Sequence, residues 1–563
     1  MPQPQFKVFP TRHLAMVAGF FLALIVTPLS AQSTWVGTLV GQSSQDQFGA
    51  SLEGIEDVNG DGVRDILVGA PFDDSGGPGA GAVHVISGLD QSTLYVLTGA
   101  TPFVEFGRSI SNLGDVNGDG VSDFVVGAPF DQWNGVAGGT VRVVSGIDGQ
   151  VLFTFGATTP GDRLGESVDG VGDVNGDGIP DLALGAPGND DFDEAAGAVY
   201  VRSGADGGLI HTFFGVATND VFGSSVDGLG DVNLDGRGDI LVGAPFEDAQ
   251  GLNSGSARVF SGLDGSVLFA ISGQTAGAQF GSVVLGLGDL NDDEVVDFAV
   301  GSPAPGDPNA QDVRVFCGAT GCLVHVVTSP QAFAGFGMVM ASGGDFDGDN
   351  AGDILVGLPF HQLTTGTLVG QAQVISGRDG GVLEVVTGEL PGGLFGSAVA
   401  NNGDASGDGF DDFLVGIPGA GGSVFGAGSV RAYHAPTRPI LLYESEGKGT
   451  SLSLSWAGNH GDLHATVGTI QCLGATPGAL GLFGVSLARA DIPLSFGFPI
   501  LVANDPVNLI GLGSFGFDFS GAIIIPNVSR QNPFLAGTEL FIQFFESSPS
   551  LACSNGLRMS IAP

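Results

Sequence analysis

Basic residues are scarce: 17 Lys plus Arg stand against 60 Asp plus Glu, a formal net charge of −43. That argues against nucleic-acid binding, because neutralising phosphates needs a basic patch. So acidic a chain suits cations, cationic partners or solubility. Beyond residue 31 no stretch has the 18 or more apolar residues of a spanning helix, and none shows sustained helical periodicity between caps. The eight His are scattered, with only His460 and His464 close together. No G-x-S-x-G elbow or Walker-type loop is present, so no catalytic constellation is legible. Cysteine is limited to four, compatible with two disulfides in an exported chain. Cys317 and Cys322 flank a turn, which points to a bridge across it and leaves Cys472 to Cys553. Four cysteines allow three connectivities, so the pairing stays open.

What is there begins with an export signal. Lys7, Arg12 and His13 precede "LAMVAGFFLALIV", followed by Pro28 and a small-residue site ending at Ala31. Residues 1–31 are read as a signal peptide, with an uncleaved membrane anchor as the alternative. The expected location is secreted, extracellular or at the cell surface.

At 563 residues the chain is too long for one ordinary core, and it repeats. An acidic cluster recurs with its first Asp at 57, 115, 173, 231, 289, 345 and 404, a period of about 58 residues. About nine residues earlier stands Phe-Gly, at 48, 106, 222, 280, 336 and 395, or Leu164-Gly165. Gly-x-Pro follows each cluster, at 69, 127, 185, 243, 301, 357 and 416. Six copies then carry a hairpin signal, as in "VRVVSGIDGQVLFTF". Each period reads as four short strands, and seven such units predict an all-β, seven-bladed β-propeller over residues 32–435. The Phe fills the gap between blades and the Gly lets backbones approach. The seventh copy lacks a fourth strand, whereas "TWVGTLVG" near the N-terminus matches one. Residues 34–41 are therefore expected to complete the seventh blade and lock the ring.

The cluster "DVNGDGVSD" offers oxygen ligands at positions 1, 3, 5 and 9, a main-chain carbonyl at 7 and Gly at 6 for the turn. Hard oxygen donors at alternate positions suit Ca²⁺, and with no His or Cys in any loop a transition metal is disfavoured. The ligand sets in order of position are Asp57, Asn59, Asp61, Val63 and Asp65; Asp115, Asn117, Asp119, Val121 and Asp123; Asp173, Asn175, Asp177, Ile179 and Asp181; and Asp231, Asn233, Asp235, Arg237 and Asp239. The fifth, Asp289, Asn291, Asp293, Val295 and Asp297, has Glu294 where Gly belongs. The sixth is Asp345, Asp347, Asp349, Ala351 and Asp353, with Asn350 for Gly. The seventh, Asp404, Ser406, Asp408, Phe410 and Asp412, has a weaker Ser ligand. Up to seven Ca²⁺ are expected, read as fold clamps rather than reactive centres.

Phe-Gly, then "DVNGDGVSD", then "GAP" resembles the FG-GAP repeat of the integrin α-subunit propeller, over residues 34–435. The resemblance implies Ca²⁺ loops on the lower face, between first and second strands, and ligands on the opposite, upper face. Phe130, Asp131, Trp133, Asp191 and Phe192 lie in upper loops and are read either as ligand contacts or as ordinary loop residues. No leg region follows the propeller, so the closer comparison is with secreted bacterial FG-GAP proteins. "RGD" at 237–239 falls inside the fourth acidic loop, which argues against an adhesion motif. From residue 436 the period stops, and strand-length segments to 563 predict a small β-sandwich. The expected function is adhesion or recognition of an extracellular protein or glycan, without catalysis. The alternatives are a polysaccharide-active enzyme with acids on the upper face, or a structural scaffold.

Overall fold

A computed structural model describes residues 34–434, except 42, 292, 308–310, 408 and 421–425, together with the backbone of short strands further on. The expected signal peptide, residues 1–31, lies outside the described residues. Seven four-stranded antiparallel sheets follow one another around a ring. In the second blade the strands are Ser109–Gly114, Asp123–Ala128, Thr140–Val144 and Val151–Gly156, hydrogen-bonded in chain order. First strands of neighbouring blades meet all the way round, so they are innermost. The second strand is buried on both faces in every blade, as in Asp123–Ala128. This is why "DFVVGA" and its siblings are continuous apolar runs rather than alternating ones.

Blade-to-blade packing is carried by the repeat's marks. Phe48, Phe106, Leu164, Phe222, Phe280, Phe336 and Phe395 are all buried, each worth about 2–3 kcal/mol of apolar transfer. The glycines explain themselves by distance. A Cβ added at Gly127 would lie 2.0 Å from the carbonyl oxygen of Gly165 in the next blade. The same approach recurs in all seven blades, ending with Gly416 against Gly49. Ser109 adds a staple, its Oγ donating to that Gly165 carbonyl at 2.8 Å, as Ser51 does to Gly107 and Ser167 to Gly223. A Gly127→Ala substitution should therefore force two blades apart, costing on the order of 3 kcal/mol by overpacking. A denaturant midpoint unchanged from the parent would refute the contact's importance.

Closure occurs where the sequence places it. Thr34–Val40 pairs antiparallel with Ser429–His434 as the fourth strand of the seventh blade. The amide of Gly41 then donates to the carbonyl of Gly428 at 3.0 Å.

Further on, Ser451–Ser453, Thr469–Gly474, Asn555–Ser560, Glu539–Gln543 and Leu501–Val502 form a five-stranded sheet in that order. Val485–Ser486 and Ile523–Ile524 pair in parallel. The strands agree with an all-β tail, but the packing that would make it a sandwich lies outside the described residues, as does Cys553. Cys317 and Cys322 carry free thiols, which corrects the expected bridge. Cys317 stands where other blades have Ser, and its Sγ turns to Asp293 Oδ2 at 3.6 Å instead of across the turn.

Candidate functional site

The seven acidic loops join first to second strands, so the topology places them all on one face of the ring. In the first, Asp57 Oδ1 accepts from the amides of Gly60 and Asp61, at 2.6 and 3.0 Å, and Oδ2 from Gly62 at 2.6 Å. Asn59 Oδ1 accepts from Asp61, and Asp61 Oδ1 from Val63. These bonds wind the loop and turn its side-chain oxygens inward. Asp65 has no exposed surface and anchors the turn, accepting from the amides of Val58 and Gly88. Loops two to four repeat the winding through Asp115, Asp173 and Asp231. Their Asp123, Asp181 and Asp239 are buried in the same way.

The fifth loop departs in sequence but not in shape. Glu294 takes the left-handed backbone that Gly adopts elsewhere, at φ 66°, and its amide donates to Asp289 Oδ2 at 2.7 Å. That conformation costs about 1 kcal/mol for a residue with a Cβ. Asn350 does likewise at φ 63° in the sixth loop. The seventh keeps Gly409 donating to Asp404 and Ser406 to Asp412; Asp408 lies outside the described residues.

Whether a cation fits is tested by the sixth loop. Carboxylate oxygens of Asp345, Asp347 and Asp353 lie within 4.8 Å of one another, and Asp353 is fully buried. Burial, then Asp347, pushes the Asp353 carboxyl up to about 8. Such crowding is unfavourable without a positive charge among the oxygens, and an all-oxygen donor set fits a hard divalent cation. Sequence reading missed a further oxygen at some of these loops. Ser87 Oγ donates to Asp61 Oδ2 at 2.9 Å, and Ser261 to Asp235 at 3.1 Å. The signal was present: Ser-Gly ends the third strand in most blades.

The position-7 side chains serve packing. Val295, Ala351 and Phe410 are buried, and the Arg237 guanidinium lies against Gly176 of the neighbouring loop. With Asp239 buried and bonded to Val232 and Gly262, the 237–239 tripeptide is not displayed.

On the upper face Phe130, Asp191 and Phe192 are exposed. Trp133 is half-buried and folded onto Gly156 of its own blade. Asp131 is a correction: it is buried, accepting from Thr140 at 2.9 Å beside Arg142 at 3.7 Å, and is held by the fold rather than offered to a ligand. Arg142 in turn covers the Phe106 ring at 4.8 Å. Sequence reading overlooked Phe103, Phe333 and Phe360, exposed in upper loops, because they resemble the buried Phe of the repeat.

A second acidic group lines the ring's centre. Glu53, Asp169 and Asp227 hold the same register in the first strands of blades one, three and four, opposite Leu67, Ala183 and Leu241. Ser111, Leu285, Ala341 and Ala400 hold it in the others. Asp169 accepts from Ser111 Oγ at 2.7 Å and the Gly228 amide at 2.9 Å. Burial, then Asp169, pushes Glu53 up to about 8, with Arg64 opposing. Burial raises Asp169 to about 6 and raises Asp227 as well. A carboxyl raised in the folded state stabilises fully below its unfolded value and loses that contribution as pH climbs through the folded one. Glu53→Gln removes the charge, so it should raise Tm at pH 8.5 by about 2–4 °C more than at pH 5, both in Ca²⁺. Equal shifts at the two pH values would contradict this.

The repeats have known counterparts. The FG-GAP repeat family matches residues 48–86, 106–144, 164–201 and 222–260, the four blades whose loops keep Asn at position 3 and Gly at 6. Integrin alpha-8 of Mus musculus is 35% identical over 187 residues, 30% of this chain and 17% of its own length. Integrin alpha-5 of Xenopus laevis is 33% identical over 216 residues, 35% of this chain and 20% of that one. The chain thus spans about a fifth of the length of the curated relatives it matches. A crystal structure of BBS1N in complex with ARL6DN aligns with a TM-score of 0.43 at 12% identity, over 72% of this chain and 98% of that one, too loose a likeness to bear on function. Four of the seven blades are thus FG-GAP repeats, and over part of its length the chain is similar to integrin alpha subunits.

Proposed function

We propose that this is a secreted, calcium-stabilised propeller that recognises an extracellular protein or glycan through its upper face. The observation that carries the reading is the set of aromatics held out to solvent there: Phe103, Phe130, Phe192, Phe333 and Phe360. Exposed aromatic rings are unfavourable in water and characteristic of contact surfaces. The lower face is given over to loops whose oxygens suit Ca²⁺, which divides the molecule into a clamped side and a contact side. Export rests on the residue 1–31 signal, and among the described residues no helix is long and apolar enough to cross a membrane. We read the protein as a binding module rather than an enzyme. Two of the upper-face acids are engaged internally, Asp131 with Thr140 and Glu247 with Arg258.

The test is to screen residues 32–563 on glycan and matrix-protein arrays, in Ca²⁺ and in EDTA, beside a Phe130→Ala/Phe192→Ala variant. A hit lost in EDTA and weakened in the variant supports the reading. A hit indifferent to the variant removes the upper face from it, and cleavage of an arrayed glycan would replace recognition with catalysis.

A further inference from the structure

One upper-loop position, three residues before the Phe-Gly mark, has the same backbone in every blade. Gln45, Phe103, Gly161, Asn219, Gly277, Phe333 and Gly392 all hold it left-handed, with φ between 57° and 91°. Glycine adopts that conformation freely, and a bulky side chain only under strain. A Cβ added at Gly161, Gly277 or Gly392 would meet nothing within 4 Å among the described residues. The fold therefore needs a backbone shape here and has no packing use for a side chain. Phe103 and Phe333 nevertheless stand at this position, 71% and 56% exposed. Each is unfavourable twice, through its backbone and through its solvated ring. Strain kept where the fold gains nothing from it marks a contact point.

Around Phe333 the contact point widens into a patch. The Phe360 amide donates to the Ala334 carbonyl at 3.0 Å. A Cβ on Gly335 would lie 3.0 Å from the Phe360 ring and 3.3 Å from the Met338 sulfur. Gln331 joins the two loops, its Nε2 donating to the Gln362 carbonyl at 2.8 Å and its Oε1 accepting from the Gln362 amide at 2.7 Å. The Gly392 amide ties in the next loop by donating to the Leu368 carbonyl at 2.9 Å. These bonds fix the backbones that present Phe333, Met338, Phe360, Leu363 and Leu390, all of them exposed.

Charge separates this patch from the rest of the upper face. Residues 329–344 and 354–377 contain no Asp, Glu, Lys or Arg. Burial lowers the pKa of His361, the one imidazole there, and so favours its neutral form. The equivalent loops after Gly-x-Pro in blades one to five carry Asp73, Asp131, Asp191, Glu247 and Asp307. At the edge of the patch, next to Leu390, stands Glu389, its side chain 79% exposed. Aromatic and Met side chains with charge kept to the rim are the composition of a protein-interface core.

We propose that this patch on the sixth blade docks an apolar segment of another protein that carries Lys or Arg on its flanks, an inference that rests on upper-face recognition. Apolar side chains of the segment cover Phe333, Met338 and Phe360. Its basic flanks meet Glu389 and the field of a chain with a net charge of −43. The same field opposes a second copy of this chain, or an anionic bilayer, as the occupant.

The experiment pans a phage-displayed library of random peptides on folded residues 32–563 in Ca²⁺. Enriched peptides are expected to combine aromatic or aliphatic residues with Lys or Arg. Synthesised and titrated by fluorescence anisotropy, they should bind Phe333→Gly and Phe360→Ser about tenfold or more weakly than the parent. Phe130→Ala/Phe192→Ala should bind them as the parent does. Phe333→Gly installs the residue that three other blades carry, so it should fold with a Tm equal to the parent's or above it. Binding lost without stability lost separates a contact from a structural role. No enrichment, or enriched peptides without the apolar and basic character, overturns the proposal. Peptides indifferent to Phe333→Gly but weakened by Phe130→Ala/Phe192→Ala overturn the sixth-blade site and leave upper-face recognition standing. Peptides indifferent to both variants remove the upper face as well. Sedimentation with phosphatidylcholine vesicles, lost in Phe333→Gly, would replace the protein partner with a lipid surface.

Discussion

Stripping divalent cations with EDTA is expected to lower the melting temperature by about 10–20 °C, and re-adding Ca²⁺ to restore it. The expectation follows from how much charge the loops gather. Of 60 acids, 22 fall on ligand positions, and each loop's last Asp is buried at the start of a second strand. A cation that binds only the folded chain stabilises it by about 2.7 kcal/mol per site when free ligand is 100-fold above Kd. A few filled sites therefore amount to about 10 kcal/mol, and a ring of this size moves by about 1–2 °C per kcal/mol. Mg²⁺ should restore little, because it demands tighter octahedral geometry and gives up water reluctantly. Differential scanning calorimetry in Ca²⁺, Mg²⁺ and EDTA decides the matter. A melting temperature indifferent to EDTA would mean that the loops hold themselves by their own hydrogen bonds.

Removing residues 32–41 should be the most damaging deletion available in the propeller. It takes away Thr34–Val40, leaving Ser429–His434 as a bare edge and the seventh blade with three strands. An open ring also strains the packing between first and seventh blades, where Phe48 and Gly49 meet Gly428 and Gly416. The truncated protein is expected to melt at least ~10 °C lower and to aggregate through the exposed strand edge. A peptide of residues 32–44 added in trans should recover part of the loss, because the edge it pairs with is already formed. Truncated and parent proteins melting within a degree or two of each other would show that closure contributes little.

Much of this architecture is legible in the sequence alone. The number of blades, the four strands in each, the position of the acidic loops and the borrowed closing strand all follow from spacing. Each rests on local chemistry repeated at a fixed period: turn residues, apolar runs of strand length and the missing hairpin after "GSVRAYHAP". A local signal seen seven times averages out the ambiguity of one copy. Even Glu294 was readable as a departure, although the fold kept the loop's shape around it by holding its backbone left-handed.

What depends on residues far apart in the chain was settled by the fold. Asp131 looked like a loop residue free to bind, yet the third strand brings Thr140 and Arg142 against it. Cys317 and Cys322 flank a turn, which reads as a bridge until Asp293 is seen beside the thiol. The crowding of Glu53, Asp169 and Asp227 joins positions at least 58 residues apart, and no local pattern announces it. The repeating backbone is written along the chain, because strands and turns are selected by neighbours in sequence. The fate of each buried charge was decided in three dimensions, because what neutralises it comes from another strand or another blade.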